Sequence, residues 1–396
     1  MTRPESRLII PLAFVAFVSL GLPDGLLGVA WPSVRASFAR QVGDVGVLLA
    51  AGTAGYLLSS FLGGQLVRAG GVGAVLLGSA LAVAVALAGI SLAAAWPAMV
   101  GFAFLGGIGG GAVDAGINTF AAARFSARVV NWLHACWGIG ATAGPLLMTA
   151  VLARNMPWRV GYRVMGAALA LLSLVFLFTL RLWTIAPASP SEAVASEPTT
   201  ATLGQALRRP LVWAQLLLFF LYCGIESTAG QLLYTLLTES RGMSRVTAGL
   251  ATGAYWASLT AGRFVFGQLA ARLSRRAVLR VGHGLAPVGA LVLWSNAGEV
   301  ASVAGVALLG FGLAPIFPTM ISITPDRVGH YFAPQAVGFQ VAAANVGIAL
   351  IPGAVGVLAR RGGLEVVAVF LTIASASLLL VQELVIRHAD ERRVRA

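Results

Sequence analysis

The chain has 396 residues, of which 58% are hydrophobic and only 10% are charged. A soluble protein of this length needs a far more charged surface, so the composition excludes a soluble globular domain and indicates a membrane protein. The formal net charge is +13, but the basic residues are all arginines that fall between long apolar runs. They form no continuous basic face, which excludes a nucleic-acid-binding protein.

Apolar runs of about 20 residues, the length that a helix needs to cross a bilayer, recur along the whole chain. The first run is too long for the apolar part of a signal peptide and is interpreted as a membrane helix. The pattern predicts twelve helices, at 8–32, 44–66, 72–94, 97–123, 130–153, 160–183, 210–237, 246–271, 277–297, 299–323, 334–358 and 364–387. We therefore predict an all-α membrane protein with twelve transmembrane helices.

One predicted connection is long and polar. Residues 184–208 contain several prolines, serines and acids, a composition typical of a linker. This linker divides the chain into two predicted six-helix bundles, 1–183 and 209–396. If both termini are cytoplasmic, 17 arginines lie on the inner side and nine on the outer side, which favours this orientation. The expected location is the inner membrane of a bacterial cell, with the linker in the cytoplasm.

The two halves repeat each other. The Gly-Gln-Leu triplet at 64–66 recurs at 267–269, and Gly140 in the fifth helix recurs as Gly347 in the eleventh. Because the offsets are nearly equal and fall on equivalent helices, we predict two pseudo-symmetric bundles. Parallel six-helix repeats with a binding site between them are typical of one large class of secondary transporters.

Three carboxylates lie inside predicted spans, where a charged side chain costs about 2.5–3.5 kcal/mol. They are Asp24, Asp114 and Glu226, and Glu226 follows Asp24 by 202 residues. Asp24 comes directly after Pro23, which removes a backbone donor and loosens the helix at that point. Broken membrane helices often mark binding sites. The alternative is that Asp24 reaches water at the outer end of the helix.

The other two acids have polar neighbours at helical spacing. Asp114 and Asn118 are one turn apart and share a face, which predicts either a binding site or a buried pair that locks helices together. Glu226, Gly230 and Tyr234 also share one face and predict an opening of about the size of a sugar. Carboxylates are natural proton carriers in membranes, so all three acids are candidates for proton coupling or substrate binding.

Arg263 is the one arginine within a predicted span and needs either a salt-bridge partner or a substrate contact. His134 lies near a helix end, where it either contacts water or faces the cavity as a donor, acceptor or titrating group. The residues predicted to line the substrate cavity are Asn118, Asn131, His134, Trp137, Gln231, Tyr234, Trp256 and Asn345.

The sequence carries no enzyme signature. The glycine run from Gly106 to Gly111 lies in an apolar helix and lacks the Gly-Lys-Ser/Thr ending of a phosphate-binding loop. The two cysteines, Cys136 and Cys223, have no metal-binding spacing. We predict no catalytic residue, metal site or cofactor. We also expect no ATP-binding domain to power a pump, so an ion or substrate gradient must supply the energy.

These features resemble the major facilitator superfamily over essentially the whole chain. Within it, the chain is similar to the fucose:proton symporter family and its sodium–glucose-transporter-like bacterial relatives. The resemblance rests on Asp24, Asp114 to Asn118, the stretch 131–141, the stretch 224–234, and Gly262-Arg263-Phe264. It implies alternating access between two halves, with the acids of the first and fourth helices serving substrate and proton.

The chain departs from the family pattern at the loop after the second helix. Arg68 stands where the Gly-x-Leu-x-Asp-Arg-x-Gly motif of the superfamily has its Asp. The fucose symporters also have amides where this chain has His134 and Trp137. Fucose itself is therefore not the expected substrate.

The expected function is proton-coupled symport of a small polar solute such as a sugar, by a monomer in the lipid bilayer. Sodium stays open as the coupling ion. The alternative is a proton-driven multidrug or metabolite exporter with the same fold and a more apolar cavity. A non-transporting sensor would need a soluble output domain, and the tail after Arg387 is too short for one.

Overall fold

The computed structural model of the chain describes residues 5–183, 201–269 and 272–395. These residues are almost entirely helical, and no strand occurs among them. The chain forms two compact units. Unit 1 comprises Met1–Pro187 with Gly242–Gly253, and unit 2 comprises Ala188–Arg241 with Ala254–Ala396. The bounds that the sequence predicts for the bundles and linker remain a prediction, since 184–200 lie outside the described residues.

Each unit is built from long apolar helices. Unit 1 contains α1 (Glu5–Gly21), α2 (Leu26–Ser37), α3 (Val45–Leu92), α4 (Trp96–Arg124), α5 (Ala127–Ala153) and α6 (Trp158–Thr179). The short helix α7 (Leu203–Leu207) lies within the predicted linker. The remaining helices are α8 (Pro210–Thr235), α9 (Arg245–Leu269), α10 (Arg275–Trp294), α11 (Glu299–Leu313), α12 (Ile316–Ser322), α13 (Thr324–Val328), α14 (Ala333–Gly362) and α15 (Val366–Arg395).

The helices account for twelve membrane crossings. Within the described ranges, ten helical segments are long and apolar enough to span a membrane. One of them, Val42–Leu92, is 51 residues long and breaks at Gly71, whose φ of 74° suits glycine, so it supplies two crossings. The 25-residue α9, which carries Arg263, adds the twelfth crossing. The predicted fold class is therefore confirmed.

The first membrane helix is interrupted. α1 ends at Gly21 and α2 begins at Leu26, and Pro23 and Asp24 lie in the turn between them. The loosening that Pro23 predicts is therefore present, and it places the Asp24 carboxylate at a break in the helix.

The same helix packing occurs in both units. In unit 1, α1 packs on α5, and Gly140 of α5 approaches the backbone of α1 so closely that a Cβ would lie 2.0 Å from the Val18 carbonyl oxygen. In unit 2, α8 packs on α14, and a Cβ on Gly347 would lie 2.3 Å from the Phe220 carbonyl oxygen. The pair Gly140 and Gly347 is the one that the sequence repeat predicts. Small residues at these points allow helix backbones to approach closely in a membrane.

We expect Gly347→Val to cost about 3 kcal/mol of stability, because the new side chain would overlap the α8 backbone, which cannot move aside without disturbing the helix pair. Gly338→Val is the matched control, since it lies on the same helix with open space around it. Thermal unfolding of the detergent-solubilised protein measures both. Equal melting temperatures for the two variants would show that the close approach carries no energetic weight.

A network of polar side chains around Arg241 joins three elements at one end of the spans of unit 2. The Arg241 side chain, 3% exposed, donates to both carboxylate oxygens of Glu365, from Nε at 3.0 Å and from Nη2 at 2.7 Å. Arg241 also donates to Ser302 at 2.9 Å, and Ser240 donates to Glu365 at 3.0 Å. The hydrogen bonds from Arg241 lower the pKa of Glu365 below its ordinary value of 4.5.

The ion pair between Arg241 and Glu365 predicts that the stability of the folded protein decreases at acid pH. Because the pKa of Glu365 is lower in the folded state, its contribution to stability is complete above pH 4.5 and is lost as the pH falls below that value. We expect Glu365→Gln to lower the melting temperature at pH 7 and to flatten the decline below pH 4.5. Glu299→Gln, an exposed acid in the first turn of α11, is the control. If the melting temperature of Glu365→Gln fell below pH 4.5 as steeply as that of the unsubstituted protein, Glu365 would not be the source of the acid sensitivity.

Candidate functional site

The Asp114 carboxylate is held by two neutral donors within unit 1. The Tyr56 hydroxyl donates to Oδ2 at 2.6 Å, and the Asn118 side-chain amide donates to Oδ1 at 2.8 Å. Asp114 and Asn118 lie one turn apart on α4, as their spacing predicts, and Tyr56 comes from α3. All three residues are half-buried, so the cluster is reachable by a small solute or a proton.

Close packing of α3 against α4 places Tyr56 beside Asp114. Gly111 on α4 lies against the Tyr56 backbone, where a Cβ would come within 2.3 Å of its carbonyl oxygen. Gly107, one turn earlier, contacts Gly52 of α3 in the same way. The glycine run that the sequence analysis distinguishes from a phosphate loop therefore has a packing role. It brings the phenol and the carboxylate within hydrogen-bonding distance.

The Asp24 carboxylate lies at the break in the first membrane helix. The Trp137 indole nitrogen of α5 donates to its Oδ2 at 3.0 Å, and Asp24 itself is exposed. Asp24 also interacts electrostatically with Tyr56, which connects it to the Asp114 cluster. Its neighbours Gly21 and Gly25 lie against the backbone of α5, which holds the break next to Trp137.

Glu226 is the centre of the polar cluster in unit 2. The Tyr222 hydroxyl, one turn earlier on α8, donates to its carboxylate. Arg263 of α9 pairs with the same carboxylate, with an Nη2 to Oε2 separation of 3.8 Å. This distance is long for a hydrogen bond but within the range of an ion pair. The sequence left two alternatives for Arg263, a salt-bridge partner or a substrate contact. In this structure Glu226 is the salt-bridge partner.

Aromatic side chains surround Glu226. The Tyr255 hydroxyl donates to the backbone carbonyl of Glu226 at 3.1 Å, and its ring packs on Trp256 with centroids 5.2 Å apart. The Trp256 ring covers Gly230, and Tyr222 packs on Phe317. Gly230 therefore leaves room for an indole ring against α8.

The other residues that the sequence predicts to line the cavity are divided between the two units and differ in their exposure to solvent. His134 is exposed and packs edge-on against Phe17, with ring centroids 5.0 Å apart. Gln231 and Tyr234 are buried within unit 2. Asn345 donates to the carbonyl of Val341, one turn earlier on its own helix. The side chain of Asn131 lies outside the described residues.

Sequence reasoning missed the phenols that contact the acids. The three tyrosines lie in apolar segments of the sequence, where a tyrosine is usually a core residue. They are Tyr56, Tyr222 and Tyr255. The one-turn spacing of Tyr222 to Glu226 was available as a signal, because residues four apart on a helix are neighbours. Tyr56 is 58 residues away from Asp114, so no local pattern predicts that contact.

The family model of the Major Facilitator Superfamily matches residues 12–244 and 216–395. The chain belongs to the Major Facilitator Superfamily. It is accordingly a multi-pass membrane protein and a transporter.

Among curated relatives, the glucose/mannose transporter GlcP of Bacillus subtilis (strain 168) is 21% identical over 358 residues, which is 87% of this chain and 86% of GlcP. Bypass of stop codon protein 6 of Saccharomyces cerevisiae is 25% identical over 181 residues. That match covers 43% of this chain and 36% of the yeast protein.

Solved structures of transporters share the fold at low identity. The nucleoside transporter NupG has a TM-score of 0.76 at 13% identity, covering 94% of this chain and 98% of NupG. The D-xylose-proton symporter has a TM-score of 0.72 at 15% identity, covering 93% and 96% of the two chains. FucP in its outward conformation has a TM-score of 0.62 at 16% identity, covering 95% and 98%. At these identities the comparison establishes the fold alone.

Proposed function

We propose that the protein is a secondary active transporter that couples proton movement to uptake of a small polar solute such as a sugar. The observation that carries this proposal is the Asp114 cluster, a carboxylate within a span that accepts hydrogen bonds from two neutral donors, Tyr56 and Asn118. We place the protein in a bacterial inner membrane with both termini in the cytoplasm. We propose protons as the coupling ion because intramembrane carboxylates such as Asp114 are natural proton carriers, and sodium stays open as the alternative.

Asp114 is the proposed proton site. As a carboxylate it accepts one hydrogen bond on each oxygen, from Tyr56 and from Asn118. A protonated carboxyl group has a donor of its own, so one of the two neighbours must give up its bond or change role. Loading a proton therefore changes the contact between α3 and α4 and removes a charge from the membrane interior.

Asp24 and Trp137 are the proposed substrate contacts. An exposed carboxylate can accept hydrogen bonds from two sugar hydroxyls, and the indole ring presents an apolar face beside it. Binding a solute at Asp24 would alter the field at Tyr56, which interacts with both acids. This connection supplies a physical route by which substrate and proton affect each other.

Measurement of solute-induced proton uptake tests the proposal. Purified protein in liposomes is exposed to a panel of sugars and nucleosides while the external pH is recorded. We expect external alkalinisation with one class of solute, and none in liposomes without protein. Folded protein that gives no proton signal with any solute, at any sodium concentration, would overturn the symport proposal.

The aromatic surroundings of Glu226 favour a second candidate, proton-driven export of amphipathic compounds. Tyr222, Tyr255, Trp256 and Phe317 pack close to this acid, and an exporter of amphipathic compounds needs aromatic and apolar side chains of this kind around its site. An exporter predicts that deletion of the gene raises susceptibility to toxic compounds and that their addition dissipates an imposed proton gradient. Sugar-dependent alkalinisation without any response to such compounds would exclude it.

A further inference from the structure

A serine continues the chain of hydrogen-bonding groups that begins at Asp114. Ser60 lies one turn after Tyr56 on α3, so the two side chains share a helix face. The Ser60 hydroxyl donates to the Gly111 carbonyl of α4 at 3.4 Å, a long hydrogen bond, and it is also a hydrogen-bonding neighbour of the Tyr56 phenol. Because a hydroxyl group accepts as well as donates, the Ser60 oxygen can accept a bond from the phenol.

The packing of α3 against α4 depends on a glycine beside this serine. A Cβ on Gly111 would lie 2.8 Å from Ser60 Oγ and 2.3 Å from the Tyr56 carbonyl oxygen. A side chain at residue 111 would therefore push α3 away from α4 and separate the serine from its carbonyl acceptor. Gly111 thus keeps the serine, as well as the tyrosine, in contact with α4.

Proton loading on Asp114 leaves the Tyr56 hydroxyl in need of a new acceptor. As the structure stands, this hydroxyl donates to Asp114 Oδ2 at 2.6 Å. When a proton binds to Oδ2, that oxygen becomes a donor, and two donors cannot form one hydrogen bond. A donor left without a partner away from water is unfavourable. Asp24 acts on the phenol through its charge, whereas Ser60 is a hydrogen-bonding neighbour.

We propose that Ser60 is a positioning residue for proton loading, because its oxygen accepts the Tyr56 hydroxyl when Asp114 takes up a proton. This inference rests on the proposed role of Asp114 as the proton site. The proton binds to Asp114 Oδ2, the new O–H group donates to the Tyr56 oxygen, and the Tyr56 O–H group turns to Ser60 Oγ. Ser60 continues to donate to the Gly111 carbonyl, so every hydroxyl in the chain keeps an acceptor. The arriving proton is the one covalent change.

Transport in liposomes tests the role of Ser60. In Ser60→Ala we expect the ratio of solute-driven proton uptake to solute counterflow to fall about tenfold, because one hydrogen bond of the proton-loaded state is lost. Ser60→Thr retains the hydroxyl group and should restore the ratio. Ser59→Ala is the matched control, since the neighbouring Ser59 hydroxyl is buried and donates to the backbone carbonyl of Tyr56, not to its phenol.

Infrared difference spectroscopy of the full chain between neutral and acid pH gives a second measurement that needs no transport. The carbonyl band of the protonated Asp114 carboxyl group is identified by its loss in Asp114→Asn. In Ser60→Ala we expect this band to move to a higher frequency, because the chain of hydroxyls is shorter and the bond from the carboxyl group is weaker. Ser60→Thr should return the band to its original position, and Ser59→Ala should leave it there.

The outcomes separate this inference from the proposed function. Ser60→Ala with the transport ratio and the band of the unsubstituted protein would overturn the inference and assign the change of role to Asn118. An equal effect in Ser59→Ala would overturn it too. A protein without coupled uptake, whose Asp114 band still moves in Ser60→Ala, would contradict symport but support the hydroxyl chain. No Asp114 carboxyl band at any pH would contradict both.

Discussion

Asp114→Asn is expected to abolish solute-driven proton uptake while leaving the protein folded and able to exchange solute across the membrane. The amide keeps the size of the side chain and can still accept from Tyr56, but it cannot carry a proton. Uncoupled exchange should persist, because exchange requires no net proton movement. Proton uptake and radiolabelled counterflow in the same liposomes measure the two activities separately.

Two variants define the role of Asp114 more closely. Tyr56→Phe removes the hydrogen bond to the carboxylate but keeps the ring, so it should lower the rate of coupled transport without abolishing coupling. Glu299→Gln, an exposed acid outside this cluster, should leave both activities unchanged. Full proton uptake by Asp114→Asn would show that another acid carries the proton.

Glu226→Gln is expected to destabilise the protein by about 3 kcal/mol, because it leaves the Arg263 charge uncompensated at membrane depth. The value lies at the low end of the range for buried pairs because the Arg263 and Glu226 side chains are 20% and 15% exposed and lie 3.8 Å apart. Denaturant titration in mixed micelles measures the loss.

The double variant Glu226→Gln with Arg263→Gln should recover most of this stability, since neither charge remains. The double-mutant cycle gives the coupling energy of the pair without assigning the loss to either residue. If the double variant folds but fails to transport, the pair serves function as well as folding. A single Glu226→Gln variant as stable as the unsubstituted protein would contradict the ion-pair assignment.

Local patterns in the sequence predict the parts of this structure that depend on nearby residues. Apolar run length predicts the membrane helices, and Pro23 predicts the break at Asp24. The spacing of Asp114 and Asn118 predicts that they share a helix face, where they form a hydrogen bond. In each case the physical cause acts within a single helix. The roles of these acids in coupling and binding remain predictions.

Contacts between helices could not be read from the sequence in the same way. Arg263 needs a partner, but three acids were available, and only the packing of α8 with α9 selects Glu226. A buried network in unit 2 is a further example. Gln340 donates to Gln215 at 2.7 Å and to Thr324 at 2.9 Å, although these residues are widely separated in sequence. Such pairs depend on which helix faces meet, and a single sequence contains little information on that.

The close approach of Gly140 to α1 has its counterpart in the approach of Gly347 to α8. A backbone contact that occurs twice at corresponding places is most simply explained if it existed before the two halves diverged. The ancestor would then have been a half-length protein of six helices, whose gene was duplicated and fused. The differences between Asp24 and Glu226 record what happened afterwards, because a fused pair is free to give each half its own chemistry.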